Sequence, residues 1–128
     1  MAQTYRILLV DDEPSIVKMV GKRLQVEGFE VVEALNGEEA LAKAKAQRMD
    51  LIILDLMMPR MDGYEVCRRL RQDATYQQIP IVILSAKSHK SDVERAMATG
   101  ASAYVRKPFR AQEMLSTIRS LLSPEAAH

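Results

Sequence analysis

The stretch LIILDLMMPRMDG, residues 51–63, carries an apolar run straight into an acid and then into a proline turn. Leu51 to Leu54 form a strand-sized block with no polar interruption, the pattern of a strand buried on both faces. Asp55 therefore stands where a central strand meets solvent. Taken alone, an Asp after a strand most often forms a turn or caps a helix. Asp62, opening DGYE, suits that description. Asp55 has to be judged by what the rest of the chain brings beside it.

Outward from this block, buried-strand runs alternate with helical stripes. Arg6–Val10, Glu30–Ala34, Asp50–Asp55, Ile79–Leu84 and Ala103–Arg106 read as strands, with Pro80 near the start of the fourth. Ser15–Glu27 reads as the first helix, with Ile16, Val20 and Leu24 at four-residue spacing, Pro14 before it and Gly28 beyond it. Asn36 with Glu39, Asp62 with Glu65, and Ser91 with Glu94 form three capping boxes that open the next helices. Ala40, Leu41 and Ala44 turn inward on the second helix, and Val66, Cys67 and Leu70 on the third. Gly100 ends the fourth, and Met114, Leu115, Ile118, Leu121 and Leu122 stripe the fifth. This alternation predicts an α/β fold whose parallel sheet is covered on both faces.

Residues 1–128 read as one domain, with its core over about 5–122 and a frayed tail at 123–128. Its 18 basic and 17 acidic residues are interspersed, unlike the basic footprint of a nucleic-acid binder. The single Cys67 excludes a disulfide framework and suits a reducing cytoplasm. No apolar run is long enough for a signal peptide or a membrane span. Neither the P-loop nor the dinucleotide glycine fingerprint is present.

Open parallel sheets place their sites outside the carboxyl ends of the strands. Those ends hold Asp11 and Asp12, Asp55, Ser85 and Ala86, and Lys107. Carboxylates that share one rim repel each other and push at least one pKa up. Lys107 supplies a single compensating charge. A hard divalent cation is the natural complement, and an all-oxygen donor set suits Mg²⁺. No His and Cys cluster argues for zinc, since His89 and His128 lie elsewhere. A carboxylate beside such an ion, with a lysine and a hydroxyl at hand, fits the acceptor of a phosphoryl group.

The motifs ILLVDDEP, LIILDLMMPRMDGYE, IPIVILSAK and GASAYVRKPF run through essentially the whole chain. Together they resemble the response-regulator receiver domain of two-component signalling. The resemblance implies a flavodoxin-like sheet in the order 2-1-3-4-5 with five helices on its two faces. It implies that Asp55 accepts a phosphoryl group from a sensor histidine kinase, a phosphotransfer protein or a small phosphodonor. Asp11 and Asp12 are then the acids that position Mg²⁺, for which Mn²⁺ can substitute. Asp55 and the backbone carbonyl of Met57 complete the protein ligands. Lys107, Ser85 and the backbone N–H of Ala86 contact the phosphoryl group, and Ser85 and Tyr104 form the switch pair. The Lys107–Pro108 bond is expected to be cis. Met57 and Lys87 resemble the positions that tune hydrolysis. A bulky Met and a long Lys there both obstruct an attacking water, so a long-lived phosphoform is expected.

Phosphorylation adds roughly −2 charge at the strand end. Ser85 is expected to move toward it and Tyr104 to turn inward. This shifts the population of states on the face of the fourth helix, fifth strand and fifth helix. A downstream protein or output domain would respond to that face, for which Lys90, Arg95, Tyr104 and Arg106 are candidates. Met97 is expected in the core with Val93 instead. The chain is expected to be a cytoplasmic signalling domain that promotes its own phosphorylation and dephosphorylation, not an enzyme. Contact with nucleic acid or membrane is not expected. One rival is a receiver-like docking module that takes no phosphate, which the intact set of Asp11, Asp12, Asp55, Ser85 and Lys107 opposes. Another is an aspartyl-nucleophile phosphatase, which needs a second acid two residues after its nucleophile, where Met57 stands.

Overall fold

The computed structural model describes residues 4–122, and its centre is a single parallel sheet. The strands are β1 (Arg6–Val10), β2 (Glu30–Ala34), β3 (Leu51–Leu54), β4 (Ile81–Ser85) and β5 (Ala103–Arg106). They lie in the order β2-β1-β3-β4-β5, as the sequence motifs implied. The helices are α1 (Pro14–Val26), α2 (Gly37–Ala46), α3 (Gly63–Gln72), α4 (Lys90–Ala98) and α5 (Ala111–Leu122). A short 3₁₀ turn over Ala74–Tyr76, not anticipated from the sequence, precedes β4. The proposed tail at 123–128, including His128, lies outside the described residues.

Alternation along the strands feeds two separate cores. Leu8, Val10, Ile52, Leu54, Ile81 and Ile83 face α2, α3 and α4. Ile7, Leu9, Ile53, Val82 and Leu84 face α1 and α5. Each large side chain fully buried here contributes about 1.5–3 kcal/mol. Because both faces are covered, β3 carries no polar residue, which is why its run read as continuous.

Several boundaries differ from the sequence reading. β3 is shorter than Asp50–Asp55, because the flanking acids bond the edges of the ladder without joining it. The Asp50 carboxylate accepts the Arg6 amide at 2.8 Å, and the Asp55 amide donates to Val10 at 3.0 Å. β4 begins after Pro80, which has no N–H to donate, and it extends to Ser85 opposite Arg106. On α1 the buried positions are Val17, Val20, Gly21 and Leu24, leaving Ile16 half-buried. Leu121 and Leu122 on α5 are likewise half-buried.

The caps are simpler than boxes. Asn36 accepts the Glu39 amide at 2.8 Å and Asp62 accepts the Glu65 amide at 3.0 Å. Glu39 turns to Lys43, and Glu65 to Arg68 and Arg69, so neither glutamate closes its box. Those two arginines hold the Glu65 carboxyl down at about 2. The box at Ser91 does not form, because α4 starts two residues earlier, with His89 as an N-cap that makes no side-chain bond. Met97 is also not core: it is 44% exposed, and Ala96 takes the buried position of α4. Gly100 ends that helix as expected, with φ at +112°.

Arg71 ties down the amino end of the sheet. Its guanidinium donates to the carbonyls of Tyr76 and Ile79, both at 2.6 Å, and to that of Gly100 at 2.7 and 2.9 Å. This joins the end of α3 to the segments entering β4 and β5, leaving the carboxyl edge to carry the site.

Candidate functional site

Register places the acids. Val10 pairs with Leu54 across β1 and β3, so Asp11 and Asp55 leave the sheet side by side. One oxygen from each of Asp11, Asp12 and Asp55 can be chosen so that all three lie within 4.8 Å of one another. Asp11 and Asp55 are only 2% and 5% exposed, while Asp12 is half-buried. Asp11 uses Oδ1 to accept the Glu13 amide at 3.0 Å. Asp55 Oδ1 accepts the Met57 amide at 3.4 Å, and the Asp12 carboxylate accepts no hydrogen bond among the described residues.

Lys107 enters this cluster from β5. Its amide donates to the Ser85 carbonyl at 2.8 Å, which holds the residue against the end of β4. The Lys107–Pro108 bond that follows is cis, as the motifs implied. The ammonium lies 2.7 Å from Asp11 Oδ2 and 3.6 Å from Asp55 Oδ2. Burial alone would lower its pKa, but the Asp11 bond and the Asp55 charge outweigh that and raise it. Asp55 is raised mainly by burial, with repulsion from Asp11 and Asp12 added and only partly offset by Lys107 and the Met57 amide. The cluster thus contains more negative charge than Lys107 neutralises.

The other anticipated residues surround this centre. Ser85 is fully buried, and its Oγ accepts the Lys87 amide at 3.3 Å. Ala86 follows, exposed, at the strand end. Tyr104 is half-buried, its hydroxyl donates to the Lys87 carbonyl at 2.7 Å, and burial pushes its phenol pKa up. The Met57 side chain is 57% exposed. It helps line a cleft of about 410 Å³ together with Asp12, Pro59, Tyr64, Lys87 and Arg95. His89 is exposed at the start of α4 and takes no part.

Two contributors escaped the sequence reading. Gly63 lies within DGYE, a motif whose sequence signals only a capped turn. Its amide donates to the Leu56 carbonyl at 2.9 Å, directly behind Asp55. Tyr64 is buried, and the Arg95 guanidinium stacks 3.9 Å from its ring centroid. The motif DGYE contains both residues, but spacing alone gives no sign of which backbone or cation they meet.

A twofold-covered parallel sheet with an acidic, lysine-braced pocket at its carboxyl edge defines a class of α/β domain. A family model described as the response regulator receiver domain matches residues 7–119, and the chain belongs to that family. It is 42% identical over 117 residues to the alkaline phosphatase synthesis transcriptional regulatory protein PhoP of Bacillus subtilis, covering 91% of this chain and 48% of that protein. To the DNA-binding response regulator MtrA of Mycolicibacterium smegmatis it is 43% identical, covering 91% of this chain and 50% of that protein. The chain spans about half the length of these curated relatives. The structure of chemotaxis protein CheY4 of Vibrio cholerae superposes with a TM-score of 0.90 at 38% identity, covering 94% of this chain and 100% of that one. Receiver domains of this family bind Mg²⁺ at an acidic pocket, and the cluster of Asp11, Asp12 and Asp55 corresponds to such a pocket.

Proposed function

We propose that this domain is a phosphorylation-dependent switch in which Asp55 is the phosphoacceptor. The observation that carries it is the meeting of Asp55 with Asp11, Asp12 and Lys107 at one strand edge. In the transfer, an Asp55 carboxylate oxygen bonds to phosphorus as the donor's N–P or O–P bond breaks. The product is an aspartyl-phosphate, and the imidazole or carboxylate of the donor departs. Lys107, 3.6 Å from the carboxylate, is placed to meet charge on the phosphoryl oxygens. Ser85 and the Ala86 amide supply further donors from the end of β4.

The donor set also fits a hard divalent cation, since it offers three carboxylates whose negative charge exceeds the positive charge of Lys107. Asp11, Asp12, Asp55 and the Met57 carbonyl would hold Mg²⁺, or Mn²⁺ in its place, which supplies charge neutralisation to the transferring phosphoryl group. The phosphoryl donor is a histidine kinase or phosphotransfer protein, or a small phosphodonor. Ser85 and Tyr104 relay the change to the face of α4, β5 and α5, where a downstream protein or output domain reads it. The chain acts in the cytoplasm as a signalling domain that assists its own phosphorylation and dephosphorylation, without turnover of outside substrates. No helix among the described residues is long and apolar enough to cross a membrane.

The test is intact mass after incubation with acetyl phosphate and Mg²⁺, with Asp55→Asn alongside. A single phosphoryl adduct on the wild type, absent from the variant, is expected. No adduct, or an equal one on Asp55→Asn, overturns the assignment.

A further inference from the structure

Lys87 is held from two directions. On its backbone, the carbonyl accepts the Tyr104 hydroxyl at 2.7 Å and the amide donates to Ser85 Oγ at 3.3 Å. Its ammonium, by contrast, points toward α4, 3.8 Å from Asp92 Oδ1 and 5.8 Å from the centroid of the Tyr64 ring. That ring is itself fixed. It is buried, its hydroxyl donates to the Asp92 carbonyl at 3.4 Å, and Arg95 stacks on it at 3.9 Å. Among the described residues, Lys107 forms an ion pair with Asp55 and Lys87 forms none with it.

Lys87 therefore has its main chain at the phosphoacceptor edge and its charge drawn away from it, unlike the obstructing position expected from the length of its side chain. Its long flexible stem, two residues beyond Ser85, gives the ammonium reach toward a phosphoryl group. An aspartyl-phosphate carries roughly −2 charge and attracts that ammonium more strongly than the bare carboxylate does. Whether Lys87 answers depends on what holds it at α4. Tyr64 supplies a cation–π face and Asp92 the opposing charge.

Resting on the assignment of Asp55 as phosphoacceptor, we propose that Asp92, backed by Tyr64, is a positioning residue. It keeps the Lys87 ammonium off the phosphoryl group and so leaves the path of the hydrolytic water open. In that hydrolysis a water oxygen bonds to phosphorus and the bond from phosphorus to Asp55 breaks. Inorganic phosphate leaves, and the water's proton passes to it or to solvent. A lysine seated on the phosphoryl oxygens covers this approach and slows the step. The tether at Asp92 thus sets the lifetime through Lys87, without touching the reacting atoms.

The test follows the decay of the acetyl-phosphate adduct by intact mass, after removal of the donor and with Mg²⁺ present. The variants are Asp92→Asn, Asp92→Glu, Lys87→Ala and the double variant Asp92→Asn with Lys87→Ala, each checked by thermal melting. Asp92→Asn is expected to lengthen the phosphoform lifetime by roughly threefold or more, the scale of one partly screened charge contact. Asp92→Glu keeps the carboxylate and is expected to restore the wild-type lifetime. In the Lys87→Ala background the Asn substitution is expected to change nothing. An unchanged or shorter lifetime in Asp92→Asn overturns the proposal. The same lengthening without Lys87 overturns it too, because Asp92 would then act through α4 itself. An absent adduct on the wild type overturns the phosphoacceptor assignment and this inference together, whereas an adduct that decays alike in every variant overturns this inference alone.

Discussion

Gly63 lies so close behind Asp55 that a β-carbon placed on it would overlap the Asp55 carbonyl oxygen. The same atom would stand 2.8 Å from Leu56 Cα. The obstacle is main chain, which has no rotamer to yield. Gly63→Ala is therefore expected to cost about 2 kcal/mol or more of stability, as overpacking against backbone does. It is also expected to displace Asp55 and depress phosphoryl uptake. Urea unfolding and adduct formation from acetyl phosphate measure the two effects. Wild-type values for both would show that the loop relaxes freely.

Burial, with repulsion from Asp11 and Asp12, raises the Asp55 pKa above its ordinary value. The folded state then binds the Asp55 proton more tightly than the unfolded state does. Ionised Asp55 opposes folding above the raised pKa, and the penalty fades as pH falls through it. In chelator at neutral pH, Asp55→Asn is expected to be more stable than wild type by about 1 kcal/mol. The gap should close as pH falls toward the ordinary aspartate value of about 3.9. Added Mg²⁺ should reverse the order, because an ion that binds the folded wild type stabilises it by mass action. Urea midpoints across pH, with and without Mg²⁺, check the sign at each step.

Lys107 has the opposite linkage. Its pKa is raised on folding, so the stability it contributes is complete below the unfolded value of about 10.4 and is lost as pH rises through the folded one. The difference in stability between wild type and Lys107→Met should therefore shrink only in strongly alkaline solution. At neutral pH the variant is expected to lose about 2 kcal/mol, because Asp11, 2% exposed, is left buried without its ion-pair partner. Part of that loss should return with Mg²⁺. Chemical unfolding of both proteins over the alkaline range measures the window directly.

Arg71 offers a control at the far end of the sheet. Lysine cannot reproduce a planar guanidinium that bonds the carbonyls of Tyr76, Ile79 and Gly100 together. Arg71→Lys is expected to cost about 2 kcal/mol through carbonyls left unpaired. Phosphoryl uptake by the folded fraction should stay at the wild-type level. Loss of uptake beyond the unfolded fraction would mean that the two ends of the sheet are coupled.

The sequence by itself was enough for the alternation of elements and the inventory of the carboxyl edge. Both follow from local physics: a strand buried on two faces needs an unbroken run such as LIIL, and α/β sheets bring their strand ends to one rim. The strand order and the cis bond at Lys107 came through motifs, not periodicity. Tertiary structure alone decided what each rim residue touches. It put Lys107 closer to Asp11 than to Asp55, set Gly63 against the Asp55 backbone and drew the Lys87 ammonium to Asp92. It also moved Met97 out of the core, because the way α4 packs on the sheet gives the buried position to Ala96. The physical reason is common to all four. Helical and strand periods state which side a residue faces, whereas contact depends on the register between elements distant in the chain, and that register is set only when the layers pack.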